Sequence, residues 1–241
     1  MKKIIKRILN FILPPRCPYC GKIVMFEHTL CESCFNKIRF ISAPYCQVCG
    51  MPFENEADAK LNLVCAHCAS HKHLNRLQRS AVVYDEFSKK IILDFKFHQK
   101  TQCAPILAKW LLSAGQDIFK QKVDLIVPVP LSYRRLFKRG YNQSAILAKM
   151  LAKQTGVSVD VTSFKKCRHT KPQSSLLENA RLKNVRNAFK VVNTRHIKGK
   201  RIVLIDDVMT TGATLSECTK ALIKAGALSV DTLTVARVLK Q

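Results

Sequence analysis

The chain has 241 residues, 47% of them hydrophobic, which is enough for one large domain with a small appendage and a proper core. Lys and Arg number 41 against 16 Asp and Glu, a formal net charge of +25. That is well beyond what solubility needs and points to a polyanionic partner: nucleic acid, an anionic membrane face or a phosphorylated ligand. No apolar run approaches the roughly 18 residues of a membrane span, which argues against an integral membrane protein.

Residues 1–13 carry Ile4, Ile5, Ile8, Leu9 and Ile12 on one helical face and Lys2, Lys3, Lys6, Arg7 and Asn10 on the other. Lys6 and Arg7 interrupt any secretion-signal core, and no small-residue cleavage site precedes Pro14-Pro15. The segment reads as a short amphipathic helix that docks on the protein's own core. The alternative is a basic helix lying on the inner face of the membrane.

Residues 14–72 form a turn-rich module holding eight of the eleven cysteines. Cys17-Pro-Tyr-Cys20 and Cys31-Glu-Ser-Cys34 are separated by ten residues, Cys46-Gln-Val-Cys49 and Cys65-Ala-His-Cys68 by fifteen. A Cys-x-x-Cys turn points two thiolates at one ion, and two turns build the tetrahedral cage that zinc prefers. Gly21 and Gly50 follow the second cysteine of a pair, where a knuckle needs positive φ. Paired motifs of this kind in an unsecreted chain indicate metal and a reducing cytosol rather than disulfides. The expectation is two structural zinc ions, since a closed four-sulfur site leaves no open position for catalysis. Consecutive pairing is simplest; a crossed arrangement is the alternative, and His71 or His73 could replace a cysteine.

From Ser80 to the end the pattern changes to alternating strands and helices. Ala81–Tyr84 reads as a strand, and Ile91–Leu112 as helix broken near Thr101 and restarted around Pro105. Leu125–Pro130 is an apolar run ending in prolines. A loop follows over Leu131–Gly140, in which Arg134, Arg135, Lys138 and Arg139 interleave with Tyr133 and Phe137, and Tyr141 and Asn142 come next. Cations suit phosphate and aromatics suit base stacking. Gln143–Lys153 reads as a helix stopped at Gly156, and Val157–Val161 as extended chain. Lys171–Asn187 is polar with few apolar anchors and reads as a mobile flap over a phosphate site, with Gln173, Ser174, Arg181 and Asn184 as its working side chains. Arg201–Asp206 is a buried parallel-type strand, Thr214–Ala225 a helix and Val230–Val238 a last strand. This order predicts an α/β domain over residues 80–241, a parallel sheet with helices on both faces.

Ile202-Val-Leu-Ile-Asp-Asp-Val-Met-Thr-Thr-Gly-Ala-Thr214 carries the chemistry. The strand delivers Asp206 and Asp207 at its carboxyl end, where carboxylates can accept hydrogen bonds from vicinal ribose hydroxyls. Thr210, Thr211, Gly212, Ala213 and Thr214 then offer hydroxyls and backbone N–H groups at a helix amino terminus, a natural phosphate cradle. It is not a Walker loop, for no Gly-x-x-x-x-Gly-Lys-Ser/Thr occurs.

This stretch resembles the signature of type I phosphoribosyltransferases, which bind phosphoribosyl pyrophosphate with magnesium. The resemblance implies that Asp206 and Asp207 hold the ribose hydroxyls and Thr210–Thr214 the 5′-phosphate. It also implies that the loop after Val127-Pro-Val-Pro130 meets the pyrophosphate. Purine-salvage members often carry an acid where Thr210 stands, which argues against hypoxanthine or guanine as acceptor. The order of the cysteine module, Leu93-Asp-Phe-Lys-Phe-His98, Val127-Pro-Val-Pro130, Arg134–Gln143, Lys171-Pro-Gln-Ser174, Arg181–Phe189 and the loop resembles the ComF family over nearly the whole chain. These cytosolic competence proteins are linked to DNA uptake. The resemblance implies single-stranded DNA and proteins of DNA uptake as partners. Two functions compete: transfer of a phosphoribosyl group to a base or nucleotide-like acceptor, and a nucleic-acid-binding adaptor that uses the fold to grip phosphate and sugar.

Overall fold

Strand β5, Arg201–Met209, sits inside the sheet because its side chains are apolar on both faces. Val203 and Ile205 enter one core while Ile202 and Leu204 enter the other, all at 1% exposure or less. The computed structural model describes residues 13–53, 63–71, 73–97, 100–168 and 185–239. Its main sheet is four-stranded and wholly parallel, in the order β1 (Gln78–Val83), β6 (Ser229–Arg237), β5 and β2 (Leu125–Pro128).

Helices α3 (Glu86–Phe97), α4 (Ala104–Ala114) and α7 (Gln143–Thr155) cover one face through Phe95, Leu107, Leu111 and Leu147. The other face is covered by α8 (Ala213–Lys224) and by a two-stranded hairpin, β3 (Phe164–Lys166) with β4 (Phe189–Val191). A 3₁₀ turn at Thr101–Cys103 makes the expected break between α3 and α4, with a proline in the first turn of α4.

One expectation changes. The segment after β2 is not a loop throughout: it forms α6 (Tyr133–Arg139), entered at Ser132 and closed by Gly140 at φ +81°. Residues 157–161 run beside β2 as expected of extended chain, joined to it by a single parallel bridge, Val159 to Ile126.

Among its described residues the cysteine module contains the short helices α1 (Glu32–Phe35) and α2 (Ala66–Ser70). It is stitched to the outer edge of β1. The Ile41 amide donates to Ala81 O and the Val83 amide to Arg39 O, while the Gln78 amide donates to Val48 O. A side chain on Gly50 would place Cβ 2.6 Å from Gln78 O, so this knuckle requires glycine for close approach as well as for its φ of +65°. Residues 1–12, most of the expected amphipathic helix, lie outside the described residues; Leu13, at its end, is 74% exposed. Among the described residues no helix is long and apolar enough to cross a membrane.

Candidate functional site

The eight cysteines assemble in consecutive order: Cys17, Cys20, Cys31 and Cys34 in one cluster, Cys46, Cys49, Cys65 and Cys68 in the other. Their sulfurs lie within 4.8 Å of one another, with Cys20 to Cys31 at 3.5 Å and Cys49 to Cys65 at 3.8 Å. A tetrahedron with metal–sulfur bonds of about 2.3 Å has edges of about 3.8 Å, so both clusters fit zinc. Turn hydrogen bonds set the spacing: the amides of Gly21 and Gly50 donate to Cys17 O and Cys46 O, those of Phe35 and Ala69 to Cys31 O and Cys65 O. Within the first cluster the hydroxyl of Ser33 pulls the Cys31 thiol down to about 6, while burial pushes Cys34 up. His71 and His73 are not in either cluster.

At the carboxyl end of β5, Asp206 and Asp207 are 9% and 4% exposed. Their environments differ. Asp206 Oδ1 accepts from Ser144 Oγ at 3.0 Å, at the amino end of α7, and from the Asp207 amide at 2.9 Å. Asp207 faces Lys96, from the last turn of α3: Nζ donates to Oδ1 at 3.1 Å and lies 2.9 Å from Oδ2, off the hydrogen-bonding angle. Burial and then the neighbouring Asp207 push the Asp206 carboxyl up to about 7, against the pull of Lys96.

The loop leaving β5 turns at Gly212, φ +76°, where a Cβ would meet only Met209 Sδ at 3.9 Å. Thr210, Thr211 and Thr214 are half-buried and Ala213 is buried. Thr211 Oγ1 accepts from the Ala213 amide at 3.5 Å. As the first residues of α8, Ala213 and Thr214 have amides without intrahelical acceptors, which places backbone donors of the kind an anion takes at the cradle.

Beside it, the residues expected to grip anions divide. On α6, Arg134 and Lys138 are exposed and Arg135 and Arg139 half-buried. Tyr133 and Phe137, four residues apart on this helix, are 80% and 83% exposed. Arg139 is held inward: its guanidinium lies 4.9 Å from the Phe97 ring centroid and donates to Gln143 Oε1. Tyr141 and Asn142 serve the scaffold. The Tyr141 hydroxyl donates to Phe95 O, and Asn142 caps α7, its Oδ1 accepting from the Ser144 and Ala145 amides while Nδ2 reaches Val129 O. Gln173, Ser174, Arg181 and Asn184 fall in 169–184, outside the described residues. Just after them the Asn187 amide donates to Glu217 Oε2 at 3.1 Å.

Three residues join the site that the sequence did not single out for it. Lys96 and Ser144 are two. The third is Lys166 on β3, whose ammonium lies 5.1 Å from the Phe189 ring centroid; burial, and next the Arg135 charge, lower it to about 8, with Cys218 and Asp206 opposing. Nothing in the sequence marks Lys166 among its many basic neighbours.

For magnesium, Asp207 is committed to Lys96, so these residues do not form an all-protein cage. They fit an ion held largely by a ligand's own phosphate oxygens, the usual habit of magnesium.

Comparison with known proteins agrees with this architecture. The double zinc ribbon domain family matches residues 8–70 and the phosphoribosyl transferase domain family residues 96–241. Competence protein F of Haemophilus influenzae is 30% identical over 230 residues, covering 92% of this chain and 96% of that one. The DNA utilization protein YhgH of Salmonella typhimurium is 30% identical over 232 residues, 94% and 99% of the two chains. Competence protein ComFC of Bacillus subtilis is 28% identical over 218 residues, 88% and 85%. Among solved structures, the glutamine phosphoribosylpyrophosphate amidotransferase from B. subtilis overlaps with 58% of this chain and 30% of its own, at 20% identity and a TM-score of 0.40.

Proposed function

The chain belongs to the ComF family of phosphoribosyltransferase-domain proteins, and on that premise we propose that it binds a ribose-phosphate ligand at the β5–α8 edge, grips single-stranded DNA along α6 and acts in DNA uptake. The observation that carries this reading is the meeting, at one sheet edge, of a buried diacid, a glycine-turned threonine cradle and a helix whose exposed face is cationic and aromatic. The 5′-phosphate takes the amides of Ala213 and Thr214 and the hydroxyls of Thr210, Thr211 and Thr214. The ribose hydroxyls donate to the diacid. Magnesium, when phosphoribosyl pyrophosphate is the ligand, supplies charge neutralisation on the pyrophosphate. The names of the relatives, competence and DNA utilization, support the cellular role.

Calorimetry with phosphoribosyl pyrophosphate and magnesium tests the site. Wild type should bind and the Asp206→Asn, Asp207→Asn double variant should not; equal affinity removes the diacid from the site. The competing reading, transfer to a base, predicts product from phosphoribosyl pyrophosphate across a panel of bases, and such product would make the chain an enzyme.

A further inference from the structure

Lys96 lies in the Leu93–His98 motif, 111 positions before the carboxylate it meets. It is not a chance surface lysine. Phe95 beside it is fully buried at 0% exposure, and Asp94 is 7% exposed and paired with Lys100 at 2.9 Å. The last turn of α3 is therefore anchored on both sides of Lys96, and its side chain, 25% exposed, is delivered to Asp207.

The four carboxylate oxygens are consequently unequal. Both oxygens of Asp207 lie against one ammonium, at 3.1 and 2.9 Å. Asp206 Oδ1 already takes two donors, Ser144 Oγ and the Asp207 amide. No described group donates to Asp206 Oδ2. Two adjacent buried carboxylates left uncompensated would be costly, and would repel a phosphorylated sugar. Of the other cations at this corner, Arg139 is engaged with Gln143 and the Phe97 ring, and Lys166 lies against the Phe189 ring.

We infer that Lys96 is the positioning residue of the ribose site: it neutralises Asp207 and leaves Asp206 Oδ2 as the oxygen that receives a ribose hydroxyl, so that a sugar phosphate docks at this end without a divalent cation. The inference rests on the ribose-phosphate reading of the β5–α8 edge. Magnesium then belongs to a pyrophosphate group when the ligand has one, and a ligand with a single 5′-phosphate does not call for it.

The test is calorimetry of ribose 5-phosphate against wild type, Lys96→Met and Lys96→Arg, each in magnesium and in EDTA. Wild type should bind alike in both buffers. Lys96→Met should bind about tenfold or more weakly in EDTA, the loss expected for a charge-assisted contact, with part of it recovered by magnesium. Lys96→Arg should retain most of the affinity. Wild-type binding that needs magnesium, or Lys96→Met binding in EDTA like wild type, overturns the inference and leaves the ligand site standing. Wild type that binds neither ribose 5-phosphate nor phosphoribosyl pyrophosphate in either buffer overturns the site itself. If Lys96→Met does not fold, Lys96→Met with Asp207→Asn removes the unpaired charge; that folded variant should bind ribose 5-phosphate in EDTA nearly as well as wild type, and affinity that is lost or that returns only with magnesium overturns the inference.

Discussion

Replacing Arg134 and Lys138 together by alanine should weaken binding to single-stranded DNA and flatten its salt dependence. Both side chains are exposed and lie four residues apart, on one side of α6. Arg139 is the poorer choice, because its guanidinium is held by Gln143 and Phe97. Each phosphate neutralised on a single strand contributes about 0.7 to the log–log salt slope, so losing two contacts makes the slope shallower by about 1.4. Between about 50 and 200 mM salt that difference amounts to a factor of roughly seven in relative affinity. Fluorescence anisotropy with a labelled oligothymidine, titrated at several salt concentrations, reads both quantities. Tyr133→Ala or Phe137→Ala gives the complementary signature: a stacked base is worth about 1–3 kcal/mol, and its loss leaves the slope unchanged. If the Arg134, Lys138 double variant keeps both the affinity and the slope of wild type, α6 is not the nucleic-acid face.

Three further outcomes are expected. Cys31→Ser should lower the zinc content from two ions per chain to one and unfold the first ribbon, since metal binding here is folding energy; metal analysis returning two would remove Cys31 from the ligand set. Asp206 titrates near about 4 when unfolded but is pushed up to about 7 when folded, so the folded state holds a proton that the unfolded state has lost between those values. Its contribution to stability is therefore fully present below about pH 4 and declines as pH rises through about 7. Asp206→Asn should accordingly gain on wild type in urea unfolding between pH 5 and pH 8, and an equal difference at both would refute the shift. Tyr141→Phe should cost about 1 kcal/mol of stability by losing the bond to Phe95 O, with no change in DNA affinity. A fall in DNA affinity would instead return Tyr141 to the binding face.

The strands and helices that bury apolar faces were legible in the sequence because burial leaves a period. Ile202–Ile205 reads as a two-sided strand, and the break between α3 and α4 is marked by Pro105. Helix α6 was not legible as a helix, and the reason is visible in Tyr133, Leu136 and Phe137: they are exposed, so its apolar residues follow no core and mark no stripe. Tyr141 was legible as an aromatic among cations, but not for the bond it makes. An aromatic among cations looks like a stacking surface, but its neighbour across the fold is the Phe95 carbonyl, 46 positions earlier. Cysteine spacing gave the ligands and left their pairing open, which only the chain path through the two knuckles decides. The diacid was readable from one motif. The partners that make its two members unequal, Lys96 and Ser144, come from helices distant in sequence, and no local pattern reports them.

The position of the zinc module gives the two cysteine clusters a structural role in the phosphoribosyltransferase-like sheet. Strand β1 is the end of the parallel sheet, and an uncovered end exposes unpaired backbone groups. The module closes it: Phe40 pairs with Val82, and its ring meets Trp110 edge-on at 5.5 Å. Arg79 ties the junction together. At 5% exposure its charge is compensated by Asp117 at 2.8 Å from Nε, its Nη2 donates to Gln47 O at 2.8 Å in the second ribbon, and the guanidinium lies 5.0 Å from the Tyr45 ring centroid. Without the ribbon, β1 would lose its cover and Arg79 its acceptors at Gln47 O and Val48 O. From β1 the sheet runs through β6 to β5, the strand that carries Asp206 and Asp207. Zinc coordination therefore supports the site from two strands away. It fixes the outer edge of the sheet whose inner strand holds the diacid.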